Sequence, residues 1–518
     1  MSILNATELY AAGGAAAYAP INRRTQLVAS VAANDGFDTY LVATGEIVTR
    51  FDYYVDSVAG NDFNDGKTPL TPLATIAAAV TKVGSTAGLS VGLKRGSTFR
   101  NDRLNFGGVG TSVRAYGTGA NPRILGSTAI SGSWSNVSGN IYSTPLAYTP
   151  VNVYWQDASS GAITKLYPGT AGSLTANQWA VSGGNLQVNI GKNPTGEIIE
   201  VPANISRLLD TSNGISAGAA NQTYRNLTVM FWPGSGGACV GFTGWTVADC
   251  TISWNGNDGL DTHSGATGYL FARTRFQGNG TTRGDVLGGM GDGVSAHTLA
   301  GGVVEYCSFI DNERAGVGNQ ADTTNITRYC YFEGQYIDWR VYNTAEGNPP
   351  GDHKVYYSIF RRTKTDEVPI VLDGNTDIAI TASIHNNTFV NVAASAPRAV
   401  ACAMGTVDFK NNVIDPGFQQ GIGSYNEASG FGYATTHSDY NQFGGTYMYQ
   451  PGYPPDVTGA NDNLADPQVI NASGANYGIK GASPAYASGT PLGYTQDFYG
   501  NPVSQIAPCR GAVERLGA

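Results

Sequence analysis

The chain has 518 residues, is rich in Gly (69) and Tyr (29), is only 13% charged and carries a net charge of -9. That acidic balance argues against nucleic acid and anionic membrane surfaces as partners, because both call for a basic face. No run of about 18 apolar residues occurs, so no transmembrane helix is expected.

Residues 1–50 begin with the Ala-rich "MSILNATELYAAGGAAAYAP". This stretch lacks the basic start and continuous apolar core of a secretory signal, so the chain is expected to leave its cell by another route or never to leave alone. The following "NRRTQLVASVAANDGFDTYLVATGEIVTR" reads as a small β-rich appendage. From Tyr53 to Val80 the chain reads "YYVDSVAGNDFNDGKTPLTPLATIAAAV": a short strand, a polar turn, then one short helix over "LATIAAAV". A lone helix before a largely β-prone chain suits a cap over exposed strand edges.

Between Tyr142 and Ser206 an aromatic-rich alternating stretch predicts an inserted antiparallel β-unit. Trp155 and Trp179 in it have the surface to stack on sugar rings, or else to fill the insert's own core.

A recurring phrase then takes over, in "DCTISWN", "RTRFQGN", "YCSFIDN", "YCYFEGQ", "YSIFRRT", "NNTFVN", "NNVIDP" and "DYNQF". Its apolar anchors are Ile252, Phe276, Phe309, Phe332, Phe360, Phe389, Ile414 and Phe443, with Val229 in an earlier copy. Spacings of 23 to 33 residues with one short alternating run per copy predict a solenoid of stacked coils. Strand alternation puts Cys250, Thr274, Cys307, Cys330, Ser358, Asn387 and Asn412 on the same inward face as the anchors. The cysteines there act as small buried hydrophobes and the asparagines as an amide ladder. Without long helices between copies, the pattern predicts an all-β parallel β-helix over residues 51–445, with 446–518 as a closing segment.

The chemistry is expected on the outer face of a coil sheet. "DGLDTH" from Asp258, "DGVSAH" from Asp292 and "AGVGNQ" from Ala315 align coil on coil. Alternation turns Asp261, His263, Ser295 and His297 outward, with the Gly-rich "TTRGDVLGGMGD" from Thr281 alongside. "YIDWRVYN" adds Asp338, Arg340 and Tyr342, and "KTDEVPIVLDG" adds Asp366 and Glu367. Asp261, Asp292, Asp338 and Glu367 are the candidate acid–base carboxylates, since glycoside hydrolysis needs two about 5 to 9 Å apart. His263, His297, Arg340 and Tyr342 are the candidate substrate contacts. Asp258 and Asp292 also fit purely structural Asp–Gly turns. Paired histidines suit a metal, but third and fourth ligands are not evident, so no metal site is assigned. Ca²⁺ enters only if a lyase chemistry has to neutralise a uronate.

The opening stretch from Tyr53 to Val80 closely resembles the entry motif of right-handed parallel β-helix proteins of the pectate-lyase-like superfamily. "VGLKRGSTFRNDRLNFGG" and "RAYGTGANPRILGS" resemble its next coils, and "DPQVIN", "GIKGASPAYASG" and "RGAVE" its closing segment. The resemblance spans roughly residues 53–515 and implies a right-handed solenoid. That superfamily includes lyases, glycoside hydrolases, epimerases, phage tailspikes and inert surface proteins, so it leaves the activity open. The motifs "NDGLDTH" and "GDGVSAH" are only loosely similar to polygalacturonase carboxylate motifs, and no catalytic residue carries over. A small appendage before a β-helix resembles the layout of tailspikes and related virion spikes. That layout implies a homotrimer on a virion surface, with residues 1–50 docking to other virion proteins and the solenoid meeting cell-surface polysaccharide. Cleavage of that glycan, glycan binding without chemistry, and a free polysaccharide lyase or hydrolase are the three functions it leaves.

Overall fold

The computed structural model describes residues 39–41, 47–202, 213–263, 265–281, 291–342, 351–365, 367–373, 380–393, 398–402, 405–418, 420–424, 435–444, 459–471 and 473–514. Most of the predicted appendage, the Gly-rich loop after Thr281, and Asp366 lie outside them.

Among the described residues, three parallel sheets form the solenoid. The first has nine strands, from Ile215–Ala217 to Ile422–Ser424. The second has twelve, from Tyr53–Val55 to Thr435–Asp439. The third has eleven, from Thr98–Arg100 to Gln442–Phe443. Each strand pairs in parallel with its equivalent one coil away, as Thr251–Ser253 does with Arg275–Gln277. The fold is a parallel β-helix, and among the described residues Ile76–Val83 is the only helix.

The predicted anchors form one inner column. Ile252, Phe276, Phe309, Phe332, Phe360, Phe389, Ile414 and Phe443 are all buried in the main core. Successive Phe rings from Phe276 to Phe389 stack with centroids 4.8 to 5.0 Å apart, the spacing of the coils themselves.

Between the second and third sheets the chain turns through a single residue with left-handed backbone. Asp249, Arg273, Tyr306, Tyr329, Tyr357, Asn386, Asn411 and Tyr440 have φ between 48° and 58°. Left-handed backbone costs a non-Gly residue roughly 1 kcal/mol. The side chain that follows, at the position of Cys250 through Asn412, is buried and ties neighbouring coils together. Ser358 Oγ accepts from the Cys330 amide at 3.1 Å, and Asn412 Nδ2 donates to Asn441 Oδ1 at 3.0 Å. Repeated coil on coil, these bonds set against the cost of the bend.

The helix Ile76–Val83 starts at a Thr75 N-cap and buries Ile76, Ala79 and Val83 in the main core, next in sequence to the first strand of the second sheet. The insert begins earlier than predicted, at Ser127–Ile130, and ends with Ile198–Pro202. Its eight strands are antiparallel except for one parallel pair, Ile163–Pro168 with Gln178–Ser182. Residues from 459 onward run back along the outside of the solenoid. Tyr477, Phe498, Ala512 and Val513 cover Ile359 and Val390 there, and Val503 and Tyr494 join Tyr306, Tyr329, Tyr356 and Tyr357.

Candidate functional site

The first sheet carries the site because its inward residues fix which side chains face out. Leu260, Val294, Ala296, Val317, Trp339 and Val341 fill the core. Pairing Asp261 with Ser295, Ser295 with Gly318 and Gly318 with Arg340 makes one outer row across four coils. A second row holds His263, His297, Gln320 and Tyr342.

His263 and His297 stack in parallel, with centroids 4.3 Å apart and planes 4° from parallel. Asp261 Oδ1 lies 2.8 Å from Nε2 of His263 and 3.6 Å from Nε2 of His297. Ser295 Oγ is 2.7 Å from His297 Nε2, and Tyr342 Oη is 3.3 Å from His297 Nδ1. The Arg340 guanidinium sits 4.9 Å from the Tyr342 ring centroid. His263 is the most open member of the cluster, its side chain 39% exposed. Burial works against the charge on His263, and the Asp261 carboxylate more than restores it, so its pKa rises. Deeper burial lowers the pKa of His297, against the pull of Asp261. Ser295 is fully covered, so its hydroxyl is not presented as a nucleophile.

The carboxylates predicted beside this cluster are placed differently. Asp292 is fully buried. Its oxygens accept from Arg314 Nε at 2.8 Å, Arg314 Nη2 at 2.5 Å and the Ala315 amide at 3.0 Å. A Cβ on Gly318 would fall 2.3 Å from Asp292 Oδ2, so that glycine makes the room in which the carboxylate lies. Asp258 is buried too and accepts from the Asp292 amide at 2.8 Å. Its pKa is pushed well up, first by burial and then by the charges of Asp292 and Asp261. The stacked Asp–Gly turns are thus built into the coil corner.

Asp338 and Glu367 do not reach the outer face and are fully buried. Strict alternation fails here because Asp338 stands at the corner between the third and first sheets. At that corner Gly236, Gly259, Gly293 and Gly316 approach Ile252, Phe276, Phe309 and Phe332, and a Cβ on each would lie 2.4 to 2.7 Å from them. Asp338 takes the next place in this column and accepts from Gln335 at 2.8 Å. Its pKa is raised by burial and by the nearby Glu367. Glu367 accepts the amides of Gly334, Thr363 and Lys364 at 2.7 to 2.9 Å and closes a turn.

Trp179 is also corrected: it lies in the insert's core with Trp134, Val153, Leu166 and Leu186. Trp155 is half-buried against that core, donates to Glu197 at 2.9 Å and has Lys192 over its ring. Arg314 was not anticipated. Aligning "GDGV" with "RAGV" sets it at the turn one coil beyond Asp292, and that charge pairing across coils was the available signal.

Only Asp261 among the four predicted carboxylates remains on the outer face. With His263 and His297 it is the one three-donor group among the described residues that could hold a metal ion, one ligand atom from each lying within 4.8 Å of the others. Asp261 is thus the third potential donor beside the histidine pair, which sequence reasoning had not linked to it. Among the described residues, no helix is long and apolar enough to cross a membrane.

The family model for a right-handed β-helix region matches residues 213–340, which contain this cluster. No curated protein matches the chain in sequence. Among solved structures, pectate lyase Pel9A is similar over 90% of this chain and 96% of its own, with 13% identity and a TM-score of 0.52. XylC in complex with xylose matches over 79% of this chain and 86% of its own, at 12% identity and a TM-score of 0.47. The tailspike gp49 of Pseudomonas phage LKA1 matches over 74% and 75%, at 11% identity and a TM-score of 0.26. The parallel pairing of all three sheets, the β-helix match and the likeness in fold to Pel9A agree: the chain folds as a right-handed parallel β-helix.

Proposed function

We propose that the chain binds cell-surface polysaccharide along the outer face of the first sheet and cleaves it there. The observation that carries this reading is the outward His263–His297 stack, flanked by Asp261, Tyr342 and Arg340 in rows that cross successive coils. Such rows offer repeated polar and ring contacts to an extended polymer, and Arg340 favours an acidic sugar. Hydrolysis by two facing carboxylates is not the chemistry proposed, because Asp292, Asp338 and Glu367 are buried. β-Elimination from a uronate needs one base and a positive charge against the sugar carboxylate, which suits this face better. The burial of those three carboxylates also favours a second reading, a glycan binder without chemistry.

The spike assignment belongs to the same proposal. In it, residues 1–50 dock a homotrimer on a virion, and the solenoid projects toward the host surface. Its support is the order of the chain, a short β-rich segment ahead of the solenoid. The test is incubation with purified capsular polysaccharide and lipopolysaccharide from candidate hosts. Mass analysis should find fragments with unsaturated ends. Binding without fragments selects the second reading, and no binding to any of them removes both. Light scattering that shows only monomer, with no particle association, removes the spike.

A further inference from the structure

We infer that Asp261, His263 and His297 form a binding site for a divalent transition-metal ion of the zinc class, with coordination positions left open to solvent. The inference deepens the reading of this face given above by naming a cofactor for it, yet it stands on the geometry of three side chains.

Two imidazoles and one carboxylate are the donor set that zinc and its neighbours take, and imidazole nitrogen is a poor ligand for Ca²⁺. An ion about 2.1 Å from each donor holds adjacent donors roughly 3.0 to 3.4 Å apart. The two contacts of Asp261 Oδ1, 2.8 Å to His263 Nε2 and 3.6 Å to His297 Nε2, bracket that span. Both nitrogens lie close to one oxygen, and because the rings stack 4° from parallel, binding a shared ion requires at least one imidazole to rotate its lone pair toward it.

That oxygen is the second observation. Asp261 Oδ1 is buried, and no described side chain donates an aligned hydrogen bond to it, despite the 2.8 Å approach of His263. A cation held between the three donors would satisfy the oxygen once the exposed His263 ring turns toward it. Support for the ligands is also in place. Tyr342 Oη lies against Nδ1 of His297, leaving Nε2 to coordinate, as outer partners of metal-bound histidines do. Ser295 Oγ, 2.7 Å from the same Nε2, is the hydroxyl an ion would displace from that lone pair. Three protein ligands with His263 facing solvent leave room for an oxygen ligand from outside, such as a sugar hydroxyl or carboxylate.

The test uses the full chain, stripped with chelator and then titrated with Zn²⁺. Metal content is read by mass spectrometry after gel filtration, and coordination by the visible spectrum of the Co²⁺-loaded protein. One ion per chain is expected. His263→Ala, His297→Ala and the near-isosteric Asp261→Asn should each lower zinc affinity by about tenfold or more. His437→Ala, on an exposed histidine elsewhere, should leave it unchanged. His263 is open enough that its variant should fold, and circular dichroism checks this for each protein. No retained ion, or affinity unmoved by Asp261→Asn and His263→Ala, overturns the inference. Glycan binding is measured separately on stripped and loaded protein. Zinc uptake with no glycan binding keeps the metal site and removes the polysaccharide reading. Glycan binding with no zinc uptake does the reverse.

Discussion

The rings of His263 and His297 lie 4.3 Å apart and 4° from parallel, although a full coil of chain separates them. Parallel strand pairing alone brings them together, because Thr262 pairs with Ala296 and each histidine follows its neighbour in register. The pair therefore forms part of the outer surface and contributes little to the core. Replacing both with Ala should weaken binding of the recognised polysaccharide by about tenfold, roughly 1.4 kcal/mol. The melting temperature should fall by a few degrees only, chiefly from His297, whose loss leaves the covered Ser295 hydroxyl without that partner. Calorimetric titration and thermal melts check the two halves. Unchanged affinity would move the glycan contact to another face.

Asp292 makes the opposite prediction. Its carboxylate is fully buried and committed to Arg314 and the Ala315 amide. Removing one partner from a buried ion pair leaves the other uncompensated, at a cost of about 3 kcal/mol or more. Asp292→Asn should therefore lower stability, and pairing it with Arg314→Gln should cost less than the sum of the two single changes. Urea melts of the four proteins measure this. A stable Asp292→Asn that loses only cleavage would return the residue to acid–base work.

What was legible in the sequence followed from period. The anchor column from Ile252 to Phe443 and the outward turn of Asp261, His263 and His297 are consequences of strands that repeat and alternate. The carboxylates were misread where those rules stop. Asp338 sits at a corner shared with four glycines, so its place in the strand does not set its direction. The Asp292–Arg314 pair joins turn residues of different coils, and coil lengths of 23 and 33 residues around them blur that alignment. Trp179 sits on an alternating strand like those of the solenoid, and only the insert's own two-sided packing shows that it is core.

The asparagine ladder predicts a graded series. Asn412 accepts from the Asn387 amide at 2.9 Å and donates to Ile384 O at 2.8 Å and Asn441 Oδ1 at 3.0 Å. Asn412→Ala orphans several buried groups at about 1 to 3 kcal/mol each, so a loss of about 3 kcal/mol is expected. Asn412→Ser should lose less, because Ser358 at the equivalent position already accepts the amide of the preceding coil through its hydroxyl. Equal losses for the two variants in chemical denaturation would show that packing, and not the amide ladder, holds this column.

Glu514 closes the C-terminal segment and makes stability depend on pH. Its carboxylate is buried and accepts the Cys509 amide at 3.0 and 3.1 Å, while Asp497 Oδ2 accepts its own amide. Burial pushes its pKa from the usual 4.5 up to about 7, with the bond from Cys509 opposing and Asp497 adding to the rise. Between those two values the folded chain holds a proton that the unfolded chain has released. The stabilisation is thus complete below about pH 4.5 and is lost as pH rises through 7. At pH 5 the protonated side chain behaves much like an amide, and Glu514→Gln should leave stability nearly unchanged. At pH 8 the same variant should be more stable than the wild type, by up to about 3 kcal/mol if the whole shift is expressed. Urea melts of both proteins at the two pH values isolate this group, because every other titration is shared between them. A difference between wild type and variant that is the same at pH 5 and pH 8 would mean that Glu514 is ionised in the folded chain throughout.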